Sequence, residues 1–311
     1  MGERVLSGRQ DDAWSSIRLR DGRTLAYAEA GAAGGFPVIS CHGTPACRLP
    51  GGWARAADAA GARFIQPDRP GYGASDFNPD HSLTEWARDV AELADSLGLD
   101  RFAVVGTSGG GPYAAACAHA LPARVSALGL VCGVGPFWDV PEVDACATDE
   151  TGSWIRELID LARRDPEDAV AHAREECEQD AAMVARDPAE WMQFWFENED
   201  MPDADRELAA RPDVRAWSLA SLEESLRGGI EGYVQDELVL TVRPWGFRAE
   251  AISVPTYIWH GERDTLAPVG GARYLAAVIP ESSSRFFPEE GHSISIRHGE
   301  EIMRALVGHP E

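Results

Sequence analysis

Apolar and polar positions follow two rhythms along the chain, and the rhythm changes near residue 136 and again near residue 247. In the first stretch, short apolar runs rich in β-branched and aromatic residues alternate with segments of helical period. That is the pattern of strands separated by helices. Residues 16–20 and 24–29 alternate apolar with polar around Asp21-Gly22, which predicts an antiparallel hairpin. Phe36–Cys41, Arg63–Pro67, Phe102–Val105 and Val125–Val131 read as strands. The last is apolar almost throughout, as a strand covered on both faces should be. Helices are predicted over Pro50–Gly61, over the alanine-rich Tyr113–Ala120, and from Ser82 to a stop at Gly98. Ser82-Leu83-Thr84-Glu85 opens this last helix as a capping box.

Between residues 136 and 247 the strand signals cease. Acidic amphipathic helices are expected over Gly152–Arg164, Pro166–Arg186, Pro188–Asn198 and Ala204–Arg227, with prolines at first-turn positions. Strand-and-helix alternation then resumes with Pro255–Trp259, Val269–Val278, a strand around Phe286 and a last helix over Gly299–Leu306. The chain thus divides into a core of residues 1–135 and 248–311, of α/β class, and a helical insertion of residues 136–247.

Composition narrows the function. With 311 residues, 44% of them apolar, the chain can bury a substantial core. The formal net charge is −23, which argues against nucleic acid or an anionic membrane surface as partner and leaves a small-molecule substrate. All 28 basic residues are arginine, so chemistries that need a lysine, Schiff bases and P-loops among them, are excluded. The six cysteines (41, 47, 117, 132, 146 and 177) show no metal-ligand or disulfide-scaffold spacing. No run of 18 apolar residues and no signal-peptide segment occurs, which reads as a cytoplasmic protein.

The candidate chemistry centres on Ser108. Arg101–Val105 passes through Gly106-Thr107-Ser108-Gly109-Gly110 directly into helix formers, giving a strand, a sharp turn with serine at its tip, and a helix. Small residues beside the tip let strand and helix cross closely, and the helix N-terminus favours developing negative charge. This is the G-x-S-x-G nucleophile-elbow pattern. Three more strand ends carry chemistry-bearing loops: His42-Gly43-Thr44-Pro45, His260-Gly261-Glu262-Arg263-Asp264 and Glu289-Glu290-Gly291-His292. A fourth, Asp68 to Asp76, carries the spacing D-x-x-G-x-G-x-S.

Together these ordered motifs, which span nearly the whole chain, resemble the α/β-hydrolase fold family, in its serine-nucleophile, helically capped form. The resemblance implies a mostly parallel central sheet flanked by helices, with residues 136–247 as the cap. It implies Ser108 as nucleophile, His292 as base and Asp264 as orienting acid, in that family's order of Ser, Asp, His. Glu262 and Asp236 are rival acids. The backbone N–H groups of Thr44 and Gly109 are the implied oxyanion donors. His42 supports its loop in that family, and His298 reads as a surface residue of the last helix. Trp191, Trp195 and Trp217, with His42, are the candidate substrate contacts.

The chemistry follows from the residue types. A serine hydroxyl is a poor nucleophile until a base takes its proton, and a carboxylate must hold that base in the right tautomer. The expected reaction is ester-type hydrolysis through an acyl-enzyme, with no metal and no organic cofactor. Lactone, thioester and C–C bond hydrolysis stay open, as does a non-hydrolytic lyase, cyclase or ligand receptor on the same fold.

Overall fold

The computed structural model describes residues 4–5, 14–148, 152–196 and 201–308. The expected polar lead-in of residues 1–15 lies mostly outside the described residues, as do the last two residues of the helix expected over Pro188–Asn198. The strands are β1 (Arg4–Val5), β2 (Trp14–Arg18), β3 (Thr24–Gly31), β4 (Phe36–Cys41), β5 (Ala62–Pro67), β6 (Phe102–Thr107), β7 (Val125–Val131), β8 (Thr256–Gly261) and β9 (Ser282–Phe287). They form one sheet in the order β1-β2-β3-β5-β4-β6-β7-β8-β9. β1, β2 and β3 pair antiparallel, as do β3 and β5, and every later pairing is parallel. The hairpin around Asp21-Gly22 forms as expected, with Arg18 opposite Thr24 and Gly22 at φ 90°.

In the core, helices α1 (Gly52–Ala60), α2 (Leu83–Ser96) and α3 (Gly110–Ala120) come before the insertion. The insertion contains α4 (Pro141–Asp144), α5 (Ser153–Arg164), α6 (Pro166–Arg186), α7 (Pro188–Phe196), α8 (Asp203–Ala209), α9 (Pro212–Ser225) and α10 (Glu231–Thr241). Helices α11 (Val269–Val278) and α12 (Ile294–Leu306) complete the core. The Ser82 hydroxyl accepts the Glu85 amide at 3.2 Å, the N-cap half of the expected capping box, while the Glu85 side chain pairs with Arg88. Strand alternation divides the core between the sheet's two faces. Val104 and Ile39 pack with α2, α3 and α11, through residues such as Trp86, Tyr113 and Leu275. Val38, Ala103 and Val105 pack with α1 and α12, through Trp53, Ile302 and Leu306.

Several elements depart from expectation, among them the short α4 and β1, which were not anticipated. The helix expected over Ala204–Arg227 is two helices, α8 and α9, because Pro212 begins a new first turn. Helix α10 was not anticipated. Residues 232–236 and 238–241 are buried, which leaves no polar stripe for a periodicity to reveal. Helix α12 begins at Ile294, five residues before the expected Gly299. Among the described residues no helix is long and apolar enough to cross a membrane.

Candidate active site

The functional loops converge because β4, β6, β8 and β9 run parallel, so their carboxyl ends open on one edge of the sheet. At the end of β6, Ser108 adopts φ 54°, a backbone conformation that a side-chain-bearing residue seldom holds. Neighbouring main chain fixes it: its N–H donates to Val131 O at 3.0 Å and its carbonyl accepts from Gly111 N at 2.9 Å. A Cβ at Gly106 would lie 2.2 Å from Gly110 O, so only glycine allows the strand and helix to cross this tightly. The serine side chain is left half-buried on a cavity wall.

His292 follows β9 and faces the same cavity. Its Nδ1 lies 2.8 Å from Asp264 Oδ2, in the loop after β8. The other Asp264 oxygen accepts the Leu266 and Ala267 amides, both at 2.9 Å. His260 approaches from behind, its Nε2 3.2 Å from Asp264 Oδ2 and 2.8 Å from Ala267 O. Burial opposes ionisation of Asp264, but His292 and His260 outweigh it and hold the carboxyl well below the usual range. For His292 burial favours the neutral ring, yet the Asp264 charge and hydrogen bond, with Asp205 adding to them, raise it above 6.5. No hydrogen bond joins Ser108 to His292 among the described residues; in free enzymes such contacts are often long and tighten with substrate.

The loop after β4 lies against the serine: a Cβ on Gly43 would be 3.4 Å from Ser108 Cβ. A Cβ on Gly109 would be 2.5 Å from Thr44 Oγ1, so these two residues adjoin. Their backbone amides have no hydrogen-bond partner among the described residues. Behind the loop stands a buried network. Arg69 donates to the carbonyls of His42 and Gly43 and to Thr44 Oγ1, and it pairs with Asp236 of α10 at 2.5 Å. Asp236 also accepts from Thr44 Oγ1 (2.8 Å), Tyr72 (2.9 Å) and Tyr113 (2.6 Å). Burial raises the Asp236 pKa, but Arg69 and these donors bring it below the ordinary value.

The rival acids thus stand apart from His292. Asp236 serves the Thr44 loop, and Glu262 is exposed and paired with Arg273 at 2.5 Å. His298, expected at the surface, is half-buried, stacked on Phe287 at 4.2 Å and bonded to Glu290 at 2.8 Å.

A cavity of about 350 Å³ opens over Ser108 and His292. Trp191 and Trp195 line it, together with Trp154, Phe194, Phe196 and Tyr233, all from the insertion. Trp217 does not line it. Its indole donates to Leu49 O at 3.1 Å and packs over Gly51, which fastens α9 to the segment before α1. His42 is likewise absent from the wall. Its Nδ1 faces Gly43 O at 2.8 Å and its Nε2 accepts the Arg69 N–H at 3.1 Å, so the neutral tautomer braces the loop from inside. Burial, with Arg69 beside it, holds its pKa well below 6.5.

Two features of the site gave no signal in the sequence. One is an acidic side of the cavity, formed by Glu176, Asp180 and Glu237. Burial, with Asp236, Glu176 and Asp180 nearby, pushes the Glu237 carboxyl well above its ordinary value. The other is Asp205 of α8, buried against His292, whose segment Met201-Pro202-Asp203-Ala204-Asp205 reads as an ordinary acidic helix start. Cys132, His260 and Asp264 come close enough to ligate one ion. Burial pushes the Cys132 thiol well up, however, and it donates to Gly291 O at 3.6 Å; a neutral thiol is a poor ligand. The second such group brings exposed Glu157 and Glu176 together with half-buried His172 on α5 and α6, and Glu176 also borders the cavity.

Comparison with known proteins places this geometry. A family profile described as alpha/beta hydrolase fold matches residues 37–298. The chain is similar to a 2-hydroxymuconate semialdehyde hydrolase of Pseudomonas putida, 25% identical over 278 residues, covering 88% of this chain and 86% of the relative. Among solved structures it is similar to an esterase from Exiguobacterium antarcticum, with TM-score 0.66, 23% identity and coverage of 94% and 97% of the two chains. A bromoperoxidase from Bacillus anthracis aligns with TM-score 0.64 and 21% identity, covering 92% and 95%. These two likenesses speak to the fold alone. With most of its length matched by the profile and its parallel sheet bearing four candidate loops on one edge, the chain belongs to the α/β-hydrolase fold family and is a hydrolase of that fold.

Proposed function

We propose that the protein hydrolyses an ester-type bond of a small, largely apolar molecule through an acyl-enzyme on Ser108, with His292 as base and Asp264 as its orienting acid. The observation that carries this reading is the Asp264–His292 pair at 2.8 Å, facing the cavity that also holds Ser108. His292 Nε2 takes the hydroxyl proton as Ser108 Oγ bonds to the substrate carbonyl carbon. The carbonyl oxygen becomes an oxyanion facing the Thr44 and Gly109 amides, each donor worth about 3–4 kcal/mol in the transition state. Collapse breaks the bond to the alcohol, which leaves with the proton from His292. Water, deprotonated by His292, then attacks the acyl carbon; the bond to Ser108 Oγ breaks as His292 returns that proton to it, and the acid product is freed. Residues 136–247 act as a cap that shapes the cavity.

The wall chemistry supports a neutral substrate. Aromatic rings give rigid apolar contact, and a space of about 350 Å³ fits a small molecule. Three carboxyl groups and no arginine line it among the described residues. A substrate carboxylate would meet no arginine there. The second reading, C–C bond hydrolysis, is favoured by the Pseudomonas putida relative, which is named for a muconate semialdehyde, an acid-bearing compound. The acidic wall weighs against such a substrate here. Kinetics on paired acyl esters of equal size, one neutral and one ending in a carboxylate, test the reading. It requires kcat/KM at least tenfold higher for the neutral ester, with a pre-steady-state burst of alcohol equal to the enzyme concentration. Preference for the anionic ester, or turnover of a C–C substrate without ester turnover, would overturn it.

A further inference from the structure

The proposed base is held by a second carboxylate, which comes from the insertion. Asp205 of α8 is 2% exposed. Its Oδ2 accepts the backbone N–H of His292 at 2.7 Å and its Oδ1 accepts that of Ser293 at 2.9 Å. Both amides belong to the turn that leads into α12, so the carboxylate satisfies donors that the helix leaves open and lies in the favourable field of its N-terminus. The sequence makes room for it. A Cβ at Gly291 would lie 2.0 Å from Asp205 Oδ2 and 2.9 Å from Pro202 Cγ, so a larger residue there would drive the acid off the loop. Asp205 has no cationic side chain as partner among the described residues; neighbouring Arg206 pairs with Asp203. A buried carboxylate is expensive unless its oxygens are satisfied, and here main-chain amides of the His292 turn do so.

We infer that Asp205 is a positioning residue for the base, a clamp by which the cap fixes the main chain of His292 while Asp264 fixes its ring. The inference rests on the assignment of His292 as base. Seating of the insertion and assembly of the site are then one event: α8 cannot move away without releasing the turn that carries the base. The groups facing His292 are few. Asp264 meets its Nδ1, with His260 behind that acid; Asp205 meets its backbone; Cys132, with its thiol pushed well up by burial, lies beneath; and Ser108 is across the cavity. Asp205 adds negative potential that favours the imidazolium formed in each proton transfer.

The test uses the full-length enzyme with a neutral ester and a small fluorophosphonate, which requires the base but scarcely touches the cap wall. Asp205→Asn keeps the shape but turns an amide N–H₂ toward one of the two backbone donors. A displacement near 1 Å can cost about a hundredfold, so kcat and the labelling rate should both fall about a hundredfold with KM within a few fold. The acid limb of the pH profile should move to lower pH, and the His292 ring titration followed by NMR should move with it. Gly291→Ala approaches the same contact from the other side, keeps the charge, and should reproduce the loss in kcat. Leu208→Ala, on the same helix but with no hydrogen bond to the turn among the described residues, should lower stability and leave the acid limb in place. A folded Asp205→Asn enzyme with wild-type kcat, labelling rate and acid limb would overturn the inference. If Asp205→Asn does not fold, wild-type turnover in Gly291→Ala would overturn it equally. His292→Ala separates the two layers: full activity in that variant would remove the base assignment itself, independently of Asp205.

Discussion

The sheet and the insertion both reach the cavity, but by different means. Each group proposed for the chemistry stands at the carboxyl end of a strand, and main-chain bonds fix its place: Ser108 between Val131 O and Gly111 N, Asp264 under two amides. The insertion reaches the cavity through helix faces instead, with four aromatics from α7 and acids of α6 and α10. It also sends two fully buried acids inward. Asp205 grips the His292 turn, and Asp236 grips the Thr44 loop through Arg69 and Thr44 itself. The contrast teaches that an inserted helical region can be more than a wall. In this molecule the sheet fixes the groups proposed to react, and the insertion braces two of their loops.

That comparison can be broken by substitution on either side, and the sheet should give the larger effects. Ser108→Ala should lower ester turnover about a millionfold while the fold is retained, since triad members act as a unit. Retention of even a few per cent of turnover would remove Ser108 from the reaction. Asp264→Asn should cost about ten-thousandfold in kcat, because the ring would present the wrong tautomer to Ser108. If Asp236→Asn costs more turnover per folded molecule than Asp264→Asn, the acid belongs to α10. Our expectation for Asp236→Asn is instead a stability loss of about 3–5 kcal/mol by denaturant titration, because it leaves buried Arg69 without its counter-charge.

On the insertion's side of the cavity the effects should be smaller and selective. Trp191→Ala or Trp195→Ala should shift relative kcat/KM among acyl groups by about ten to two hundredfold, the scale of a lost apolar contact. Fluorophosphonate labelling should change far less. Trp217→Ala, which loosens α9 from the segment at Leu49, should lower the melting temperature and leave the acyl ranking intact. Equal loss of labelling and turnover in the Trp191 and Trp195 variants would show that these rings position the chemistry itself.

The same division explains what the sequence revealed. Strand ends carry their motifs locally, so Ser108, Asp264 and His292, the groups proposed for the chemistry, each stand out from a handful of neighbouring residues. The braces are long-range. Asp205 and His292 are 87 positions apart, and Thr44 and Asp236 are 192 apart. No local pattern distinguishes those aspartates from the solvated acids around them. Helix α10 escaped notice for a related reason: buried nearly all round, it shows no amphipathic stripe. Trp217 misled because an indole signals burial without saying against what. Its partner, the Leu49 carbonyl, lies 168 positions away in the core.

The central claim is that Ser108 is the nucleophile of a base-assisted acyl transfer. Intact-mass and peptide mapping after exposure to a small fluorophosphonate test it most directly. The account predicts one adduct per chain, on the peptide containing Ser108, with none in Ser108→Ala and a labelling rate that rises with pH as His292 loses its proton. An adduct on any other residue, or undiminished labelling of the alanine variant, would contradict it.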